Sequence, residues 1–214
     1  MRKEERFRKV LGYFLEHSPT AETELVYTDP YELTVAVILS AQCTDKRVNI
    51  ITPPFFRRFP DVVSLAGADP ADVFNLIRSC TYPNNKTRSL VGMAKTVVTV
   101  YGGVLPSDIG ELQNIPGIGR KTANVLASVI YDKPVIAVDT HVFRVAARIG
   151  LTTGAKNPLQ TEAQLIAHIP ENLRSIAHHW LILHGRYVCT ARKPKCHECG
   201  ISAFCKYFLT DQAT

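Results

Sequence analysis

The chain has 214 residues, 46% of them hydrophobic and 21% charged, which indicates a folded globular protein and excludes a disordered one. Its formal net charge of +6 is compatible with a polyanionic partner but does not require one. No apolar run approaches the ~20 residues that span a bilayer, and the charged amino terminus does not resemble a signal peptide. We therefore expect an intracellular protein whose six cysteines do not form disulfides.

Signals for the start of a helix recur along the chain, whereas signals for strands do not. Asp29 and Asp69 each precede a proline and offer an N-cap to a helix. Residues 34–39, after the first cap, include β-branched side chains, but the cap and the length of the apolar run favour a buried helix. Residues 171–184 are predicted to form another helix, which Gly185 ends. The sequence therefore predicts an all-α protein.

The most informative stretch is Leu112–Thr122, in which a Pro-Gly-Ile-Gly turn leads into a helix. Gly117 and Gly119 suit a bend that needs positive φ or a close approach of the backbone. The N–H groups of Gly117, Ile118 and Gly119 are expected to be uncovered where the helix starts, and can bind a phosphate there. Lys121 would lie in the first turn, where the helix dipole, together with partial burial, favours the neutral amine that a nucleophile needs. A surface lysine on a hairpin that only binds phosphate is an equally good interpretation of this stretch.

An aspartate follows Lys121 at a distance of eighteen residues, at the start of another helical pattern. Asp139 precedes residues 142–149, whose apolar side chains repeat as on one face of a helix that Gly150 ends. Its default role is therefore the N-cap of that helix. Because a carboxylate can cap with one oxygen and present the other, Asp139 is also a candidate acid–base partner of the Lys121 amine.

Four cysteines crowd the carboxyl end in the pattern C-x6-C-x2-C-x5-C, namely Cys189, Cys196, Cys199 and Cys205. In a reducing compartment this density indicates a metal or an iron–sulfur cluster. Zinc sites usually contain two C-x2-C pairs or a mixture of cysteine and histidine, so the single pair favours four thiolates around a cluster. Cys43 and Cys80 fall outside the pattern, and we expect them to be ordinary buried thiols.

Basic residues accompany the four cysteines: Arg186, Arg192, Lys193, Lys195 and Lys206. These side chains are candidates for contacts with a DNA backbone, although neutralisation of the cluster's negative charge explains some of them equally well. His197 lies between two of the cysteines and, with four thiolates available, has no expected role as a ligand.

Three motifs in this order, Leu112–Ala123, Val138–His141 and the four-cysteine loop, resemble the endonuclease III family of helix–hairpin–helix DNA glycosylases. The likeness covers nearly the whole chain, including Leu39–Asp45 and Gly185–Tyr187. It implies the helix–hairpin–helix DNA glycosylase fold, with two helical domains, a 4Fe–4S cluster loop, and the active cleft between the domains. The expected domains are a six-helix domain of about residues 22–132 and an iron–sulfur cluster domain of residues 1–21 plus 133–214.

The resemblance implies a bifunctional DNA glycosylase and abasic-site lyase of base excision repair. Lys121 matches the family's nucleophile, which attacks the sugar C1′ of a flipped-out nucleotide and forms a Schiff base, and β-elimination then cuts the strand 3′ to the lesion. Asp139 matches the carboxylate that activates this nucleophile. The implied partner is double-stranded DNA that contains oxidised pyrimidines or abasic sites, bound by a monomer at the nucleoid in a bacterial cytoplasm.

The resemblance also assigns the remaining site residues. Cys189, Cys196, Cys199 and Cys205 match the ligands of a 4Fe–4S cluster with a structural, DNA-orienting role. Gln42 and His141 match positions that enter the duplex where the damaged base has left, although on residue type alone they would be a packing group and a helix-surface residue. The loop 80–87 appears one residue longer than in the family and places Thr81 or Tyr82 at the position of its apolar wedge. The other expected DNA contacts are Gly117, Ile118, Gly119, Arg120, Lys193 and Lys195.

Two alternative functions are weaker. In a non-catalytic DNA-binding module, Lys121 would affect only affinity. A monofunctional adenine-mismatch glycosylase lacks a lysine at this position and carries a further carboxyl-terminal domain, whereas this chain has Lys121 and continues for nine residues after Cys205.

Overall fold

The computed structural model describes residues 1–211, and over these residues the chain forms α-helices, joined by loops and short 3₁₀ turns, with no strand. The predicted all-α class is thus confirmed. No helix in the described part is long and apolar enough to cross a membrane. The α-helices are α1 (Lys3–His17), α2 (Pro30–Ser40), α3 (Asp45–Arg58), α4 (Val62–Ala66), α5 (Pro70–Ile77), α6 (Pro83–Tyr101), α7 (Ile109–Gln113), α8 (Arg120–Tyr131), α9 (Thr140–Ile149), α10 (Pro158–Ile166), α11 (Arg174–Tyr187) and α12 (Lys206–Asp211).

The first of two compact units is the continuous segment Glu24–Tyr131, which contains α2 to α8. Where the resemblance implies six helices, this unit has seven α-helical segments, of which α4 and α7 are only five residues long. The predicted caps are confirmed, because Asp29 accepts a hydrogen bond from the N–H of Glu32 and Asp69 from that of Ala71. Helix α2 is buried on all sides over residues 33–39, which explains its continuous apolar sequence.

The second unit combines Met1–Thr23 with the chain from Asp132 onward. Phe7, Val10 and Phe14 on α1 share one apolar core with the buried face of α9 and with Trp180 on α11. The indole N–H of Trp180 donates to the carbonyl oxygen of Ser18 at 2.7 Å, so the polar group of this buried side chain is satisfied. The predicted stripe on α9 is buried throughout, and Gly150, with φ of +88°, ends that helix as expected.

Helix α11 differs from its prediction at both ends. Residues Glu171–Leu173 form a 3₁₀ turn, and the α-helix runs on through Gly185 to Tyr187. Gly185 therefore does not end the helix, and that prediction was wrong. A Cβ atom at position 185 would lie 2.9 Å from Cβ of His141 and 3.0 Å from a methyl group of Val145, so the glycine permits close packing of α11 on α9.

Candidate functional site

The predicted hairpin joins α7 to α8, and Ile115 and Ile118 fix it to the protein because both side chains are buried. Gly117 lies between them with φ of +83°, and a Cβ there would be only 2.6 Å from Cβ of Ser89. Both expected reasons for a glycine, positive φ and close approach, therefore apply at this position.

Ile118 and Gly119, the two other hairpin residues with a predicted phosphate contact, differ in whether their backbone N–H is already hydrogen-bonded. Ile118 donates its N–H to the carbonyl oxygen of Ile115 at 3.0 Å and buries its side chain, so its amide is not uncovered and that prediction was wrong. Gly119 has no positive φ, and a Cβ there would meet no atom within 4 Å. Over residues 1–211, the N–H groups of Gly117 and Gly119 donate to no carbonyl oxygen. The uncovered donors are therefore those of the two glycines.

Lys121 is the second residue of α8, which confirms its predicted place in the first turn of a helix. Ala123, Leu126 and Ala127 form the buried face of that helix, and Lys121 is exposed on the opposite side. The expected partial burial was therefore wrong for the protein without DNA. In the part of the chain that the structure describes, the Lys121 amine takes part in no hydrogen bond or ion pair, so an incoming group can reach it.

Asp139 is the N-cap of α9, as predicted. Its Oδ1 atom accepts a hydrogen bond from the N–H of Val142 at 2.8 Å, and the residue is half-buried. A single capping bond uses one carboxylate oxygen and leaves the lone pairs of Oδ2 for another partner.

His141, in the first turn of α9, is half-buried and held by its neighbour Arg144. The Nη2 atom of Arg144 lies 3.2 Å from Nδ1 of His141 and also donates to the carbonyl oxygens of Gly185 and Cys189. Because a guanidinium only donates, Nδ1 must accept, and the proton of a neutral His141 ring then lies on Nε2. No local pattern indicated this arrangement, because Gly185 and Cys189 lie 41 and 45 positions from Arg144 in sequence.

Gln42 and Tyr82 share an uncommon backbone conformation in two different loops of the 24–131 unit. Their φ angles are +53° and +56°, and both side chains are exposed. Non-glycine residues with positive φ cost energy and concentrate at functional sites. Thr81 is also exposed, but Tyr82 has the larger apolar side chain, and 57% of the residue's surface is accessible.

The four carboxyl-terminal cysteines line one pocket, together with Ile149, His184 and Tyr207 among others. Burial raises the pKa of the Cys199 thiol, and the charges of the other three cysteines raise it further, as expected for thiols gathered in one place. Over residues 1–211, no three His, Cys, Asp or Glu side chains lie close enough together to bind a single metal ion. The pocket nevertheless gathers four thiols from one compact loop, and four cysteine thiolates are the ligand set of an iron–sulfur cluster.

Two contacts with the cysteine sulfurs escaped the sequence interpretation. Arg148 donates to Sγ of Cys189 at 3.7 Å, and Nε2 of His184 lies 3.7 Å from Sγ of Cys199. Burial lowers the pKa of His184 to about 4, so its ring is neutral near pH 7. Both residues are far from their cysteines in sequence, which is why no local pattern indicated them.

The loop between the first two cysteines exposes Lys193 and Lys195. Two hydrogen bonds fix the backbone of this loop at the lysines. The hydroxyl of Thr190 donates to the carbonyl oxygen of Lys193, and the N–H of Lys195 donates to the carbonyl oxygen of Val188. His197 packs edge-on against the ring of Phe208. The lysine side chains are therefore presented on an ordered loop.

Comparison with known proteins defines the class of this helical protein as base excision DNA repair. Residues 35–171 match the model of the HhH-GPD superfamily of base excision DNA repair proteins, and residues 189–205 match the iron–sulfur binding domain of endonuclease III. Endonuclease III of Rickettsia felis is 41% identical over 94% of this chain and 93% of its own length. Endonuclease III of Escherichia coli K12 is 38% identical over 93% of this chain and 94% of its own length.

A solved structure of a trapped endonuclease III–DNA covalent intermediate has a TM-score of 0.93 and 37% sequence identity, and covers 99% of this chain and 100% of its own. The chain belongs to the endonuclease III family. It is thus a base excision repair enzyme, a DNA glycosylase and abasic-site lyase that acts on DNA and carries a 4Fe–4S cluster.

Proposed function

We propose that the enzyme releases oxidised pyrimidines from double-stranded DNA and cuts the strand at the resulting abasic site, with Lys121 as the nucleophile. The observation that carries this proposal is the free, exposed amine of Lys121 at the start of α8, two residues after Gly119 and four after Gly117, the glycines whose N–H groups are uncovered. A phosphate bound to these N–H groups would place the neighbouring deoxyribose near the amine.

The reaction follows from amine chemistry. The lone pair of Nζ attacks C1′ of an extruded nucleotide, the damaged base departs, and opening of the sugar ring yields a Schiff base. Loss of a proton from C2′ then breaks the bond between C3′ and its oxygen, which leaves a strand cut on the 3′ side. The amine must be uncharged to attack, because only its free lone pair can form the bond to C1′.

Asp139 supplies the carboxylate of the reaction in this proposal. Its Oδ1 atom is engaged by the Val142 N–H, which fixes the side chain while Oδ2 stays available. A fixed carboxylate can accept a proton from the lysine side chain before the neutral amine attacks, and can stabilise positive charge that develops on the sugar. The cap and the catalytic role are therefore compatible in one residue.

The DNA contacts divide into two kinds. Gly117, Gly119 and Arg120 hold phosphates without reading sequence. Gln42, Tyr82 and His141 fill the space that the extruded nucleotide leaves, and offset part of the cost of a few kcal/mol for extrusion. A damaged pyrimidine stacks poorly, so it costs less to extrude than an intact base, which contributes to selectivity.

We further propose that Cys189, Cys196, Cys199 and Cys205 hold the 4Fe–4S cluster. When bound, the cluster crosslinks a loop with little regular structure, and Lys193 and Lys195 on that loop contact DNA phosphates. The functional domains are about residues 22–132, with Lys121, and residues 1–21 plus 133–214, with Asp139 and the cysteines. The enzyme works as a monomer at the bacterial nucleoid.

Reductive trapping tests the proposal. Sodium borohydride is expected to link the wild-type protein covalently to duplex DNA that contains an abasic site, because it reduces the Schiff base to a stable amine. Lys121→Gln is expected to abolish this product while it still binds the duplex, and the exposed Lys95→Gln serves as the matched control that traps normally. Normal trapping by Lys121→Gln would show that another amine is the nucleophile. Duplexes that each carry one defined lesion test the preference for oxidised pyrimidines.

A further inference from the structure

The 24–131 unit contains a second thiol site, separate from the four-cysteine loop. The Sγ atoms of Cys43 and Cys80 lie 3.4 Å apart, although the residues are 37 positions apart in sequence. Cys80 is 4% exposed, as expected for a buried thiol, whereas Cys43 is half-buried and in contact with solvent. The expectation of two ordinary buried thiols is therefore wrong for Cys43, and the pair is placed to react together.

Short turns hold both thiols in position. Cys43 follows the end of α2 and donates its backbone N–H to the carbonyl oxygen of Ser40 at 3.0 Å. Cys80 follows the end of α5 and donates its N–H to the carbonyl oxygen of Ile77 at 2.8 Å. Each sulfur is thus attached to a backbone anchored to the end of a helix.

A buried lysine completes the site. Lys86 is 5% exposed, and its Nζ atom donates to the carbonyl oxygen of Leu39 at 2.7 Å and to Sγ of Cys80 at 3.4 Å. The Leu39 carbonyl lies at the carboxyl end of α2, where the helix dipole favours a cation. Burial and the hydrogen bond to Cys43 raise the pKa of the Cys80 thiol, whereas the contact with Lys86 opposes this rise and supports the thiolate, the form that attacks in disulfide chemistry.

We propose that Cys43 and Cys80 are a reversible oxidation site that responds to peroxide and regulates the enzyme. The accessible Cys43 thiol reacts first: its sulfur attacks one oxygen of hydrogen peroxide, which yields a sulfenic acid and one molecule of water. The sulfur of Cys80, in contact with Lys86, then attacks the sulfenic sulfur as the Cys80 thiol gives up its proton. A disulfide forms, and the sulfenic oxygen leaves as a second molecule of water with the proton from Cys80.

The distance that remains to be closed is small. A disulfide has an S–S length of ~2.05 Å, so sulfurs at 3.4 Å must approach by a little more than an ångström. Both cysteines lie in loops rather than inside helices, so rotation of the side chains with a slight loop movement provides this approach.

The disulfide would join the two loops that present Gln42 and Tyr82. Gln42 directly precedes Cys43, and Tyr82 lies two residues after Cys80. Both residues depend on a left-handed backbone conformation, and a covalent link between their loops restricts how they adjust to a duplex. This consequence rests on the proposed function, whereas formation of the disulfide does not.

Peptide mapping of the cluster-containing protein tests the site directly. The holoprotein is exposed briefly to hydrogen peroxide, free thiols are alkylated, and the unreduced digest is analysed by mass spectrometry, while visible absorption monitors the cluster. We expect a linked Cys43–Cys80 peptide pair that has lost two hydrogens, at a dose that leaves the absorption unchanged, and loss of the link on treatment with dithiothreitol. Cys43→Ala and Cys80→Ala should each abolish the link. Oxidation confined to the four carboxyl-terminal cysteines, or single thiols oxidised without a link, overturns the proposal.

Incision of abasic-site DNA tests the regulatory part with the same samples. The oxidised wild type is expected to cut about tenfold more slowly, with recovery on reduction. Cys43→Ala is expected to match the reduced wild type and to be insensitive to the same peroxide dose. A disulfide that leaves incision unchanged overturns regulation. If no disulfide forms but borohydride still links the protein to abasic-site DNA through Lys121, the proposal of an oxidation site is wrong and the proposed function stands.

Discussion

The guanidinium of Arg148 donates to the backbone carbonyl oxygen of Thr190 at 2.7 Å. The same side chain donates to the carbonyl oxygen of Ala191 at 2.8 Å and lies over the ring of Tyr207. One residue of α9 thus fixes the chain directly after Cys189 and supports α12 on the other side of the cysteines. These hydrogen bonds satisfy backbone carbonyl oxygens in a loop that has no helix or strand to do so.

Replacement of Arg148 by Leu should therefore loosen the cysteine loop. Each hydrogen bond that involves a charged group contributes about 1.5–3 kcal/mol, and two carbonyl oxygens and one sulfur lose their donor together. We expect the visible absorption of the cluster to decay several-fold faster in the presence of an iron chelator. Arg192→Leu, on the exposed part of the same loop, is the control and should decay at the wild-type rate. Equal decay of the two variants would contradict this role of Arg148.

Asp139→Asn should separate the two roles of this residue. Asparagine caps helices about as well as aspartate, so the free energy of unfolding should change by less than about 0.5 kcal/mol. The variant lacks the carboxylate, and the rate of incision should fall at least ~100-fold. Denaturant unfolding and single-turnover incision measure the two effects. Asp69→Asn, the same change at the N-cap of α5, should alter neither, and an active Asp139→Asn protein would remove Asp139 from the reaction.

The two glycines of the hairpin should respond differently to alanine. Gly117→Ala places a Cβ against Ser89 at positive φ and should destabilise the protein by at least ~1 kcal/mol. Gly119→Ala has open space and an ordinary φ, so stability should be retained or slightly increased, while the added methyl group obstructs a phosphate at the uncovered N–H. Denaturant unfolding and fluorescence anisotropy with an abasic-site duplex measure both properties. Unaltered DNA affinity of Gly119→Ala would argue against a phosphate at this position.

His179 should make the protein sensitive to mild acid. Burial, with a contribution from Arg186, lowers the pKa of His179 from 6.5 to about 4. The unfolded chain therefore binds a proton more readily than the folded one, so stability is greatest above the unfolded pKa and falls with pH until the folded pKa is passed. Between about pH 7 and pH 5 this residue should cost about 2 kcal/mol of stability. His179→Gln removes the titration, and its unfolding free energy should fall less than that of the wild type over the same interval.

Local chemistry decided which features were predictable from the sequence. Asp29, Asp69 and Asp139 were identified as caps because an N-cap side chain binds an N–H only two or three residues further on. The end of α9 was equally predictable, because Gly150 ends the helix that directly precedes it in sequence. Lys121 was placed correctly in the first turn of α8 for the same reason, but its exposure depends on the tertiary surroundings of that helix.

The features that escaped prediction depend on residues far apart in the chain. A glycine is required at position 185 because a Cβ there would collide with His141, 44 positions earlier, and not because the helix ends there. The thiol pair of Cys43 and Cys80 requires that the ends of α2 and α5 come together, which no periodicity encodes. The hydrogen bond from the Ile118 N–H to the Ile115 carbonyl oxygen depends on the exact geometry of the turn, which cannot be predicted from the residue types alone.

The division of the chain has a consequence for its synthesis. Residues 24–131 are one continuous compact unit, so we expect this part to fold as soon as it leaves the ribosome. Helix α1 emerges earlier, yet Phe7, Val10 and Phe14 find their apolar partners only after α9 and α11 have been translated. Helix α1 is thus packed late, and its apolar face stays available to chaperones until α9 and α11 have emerged.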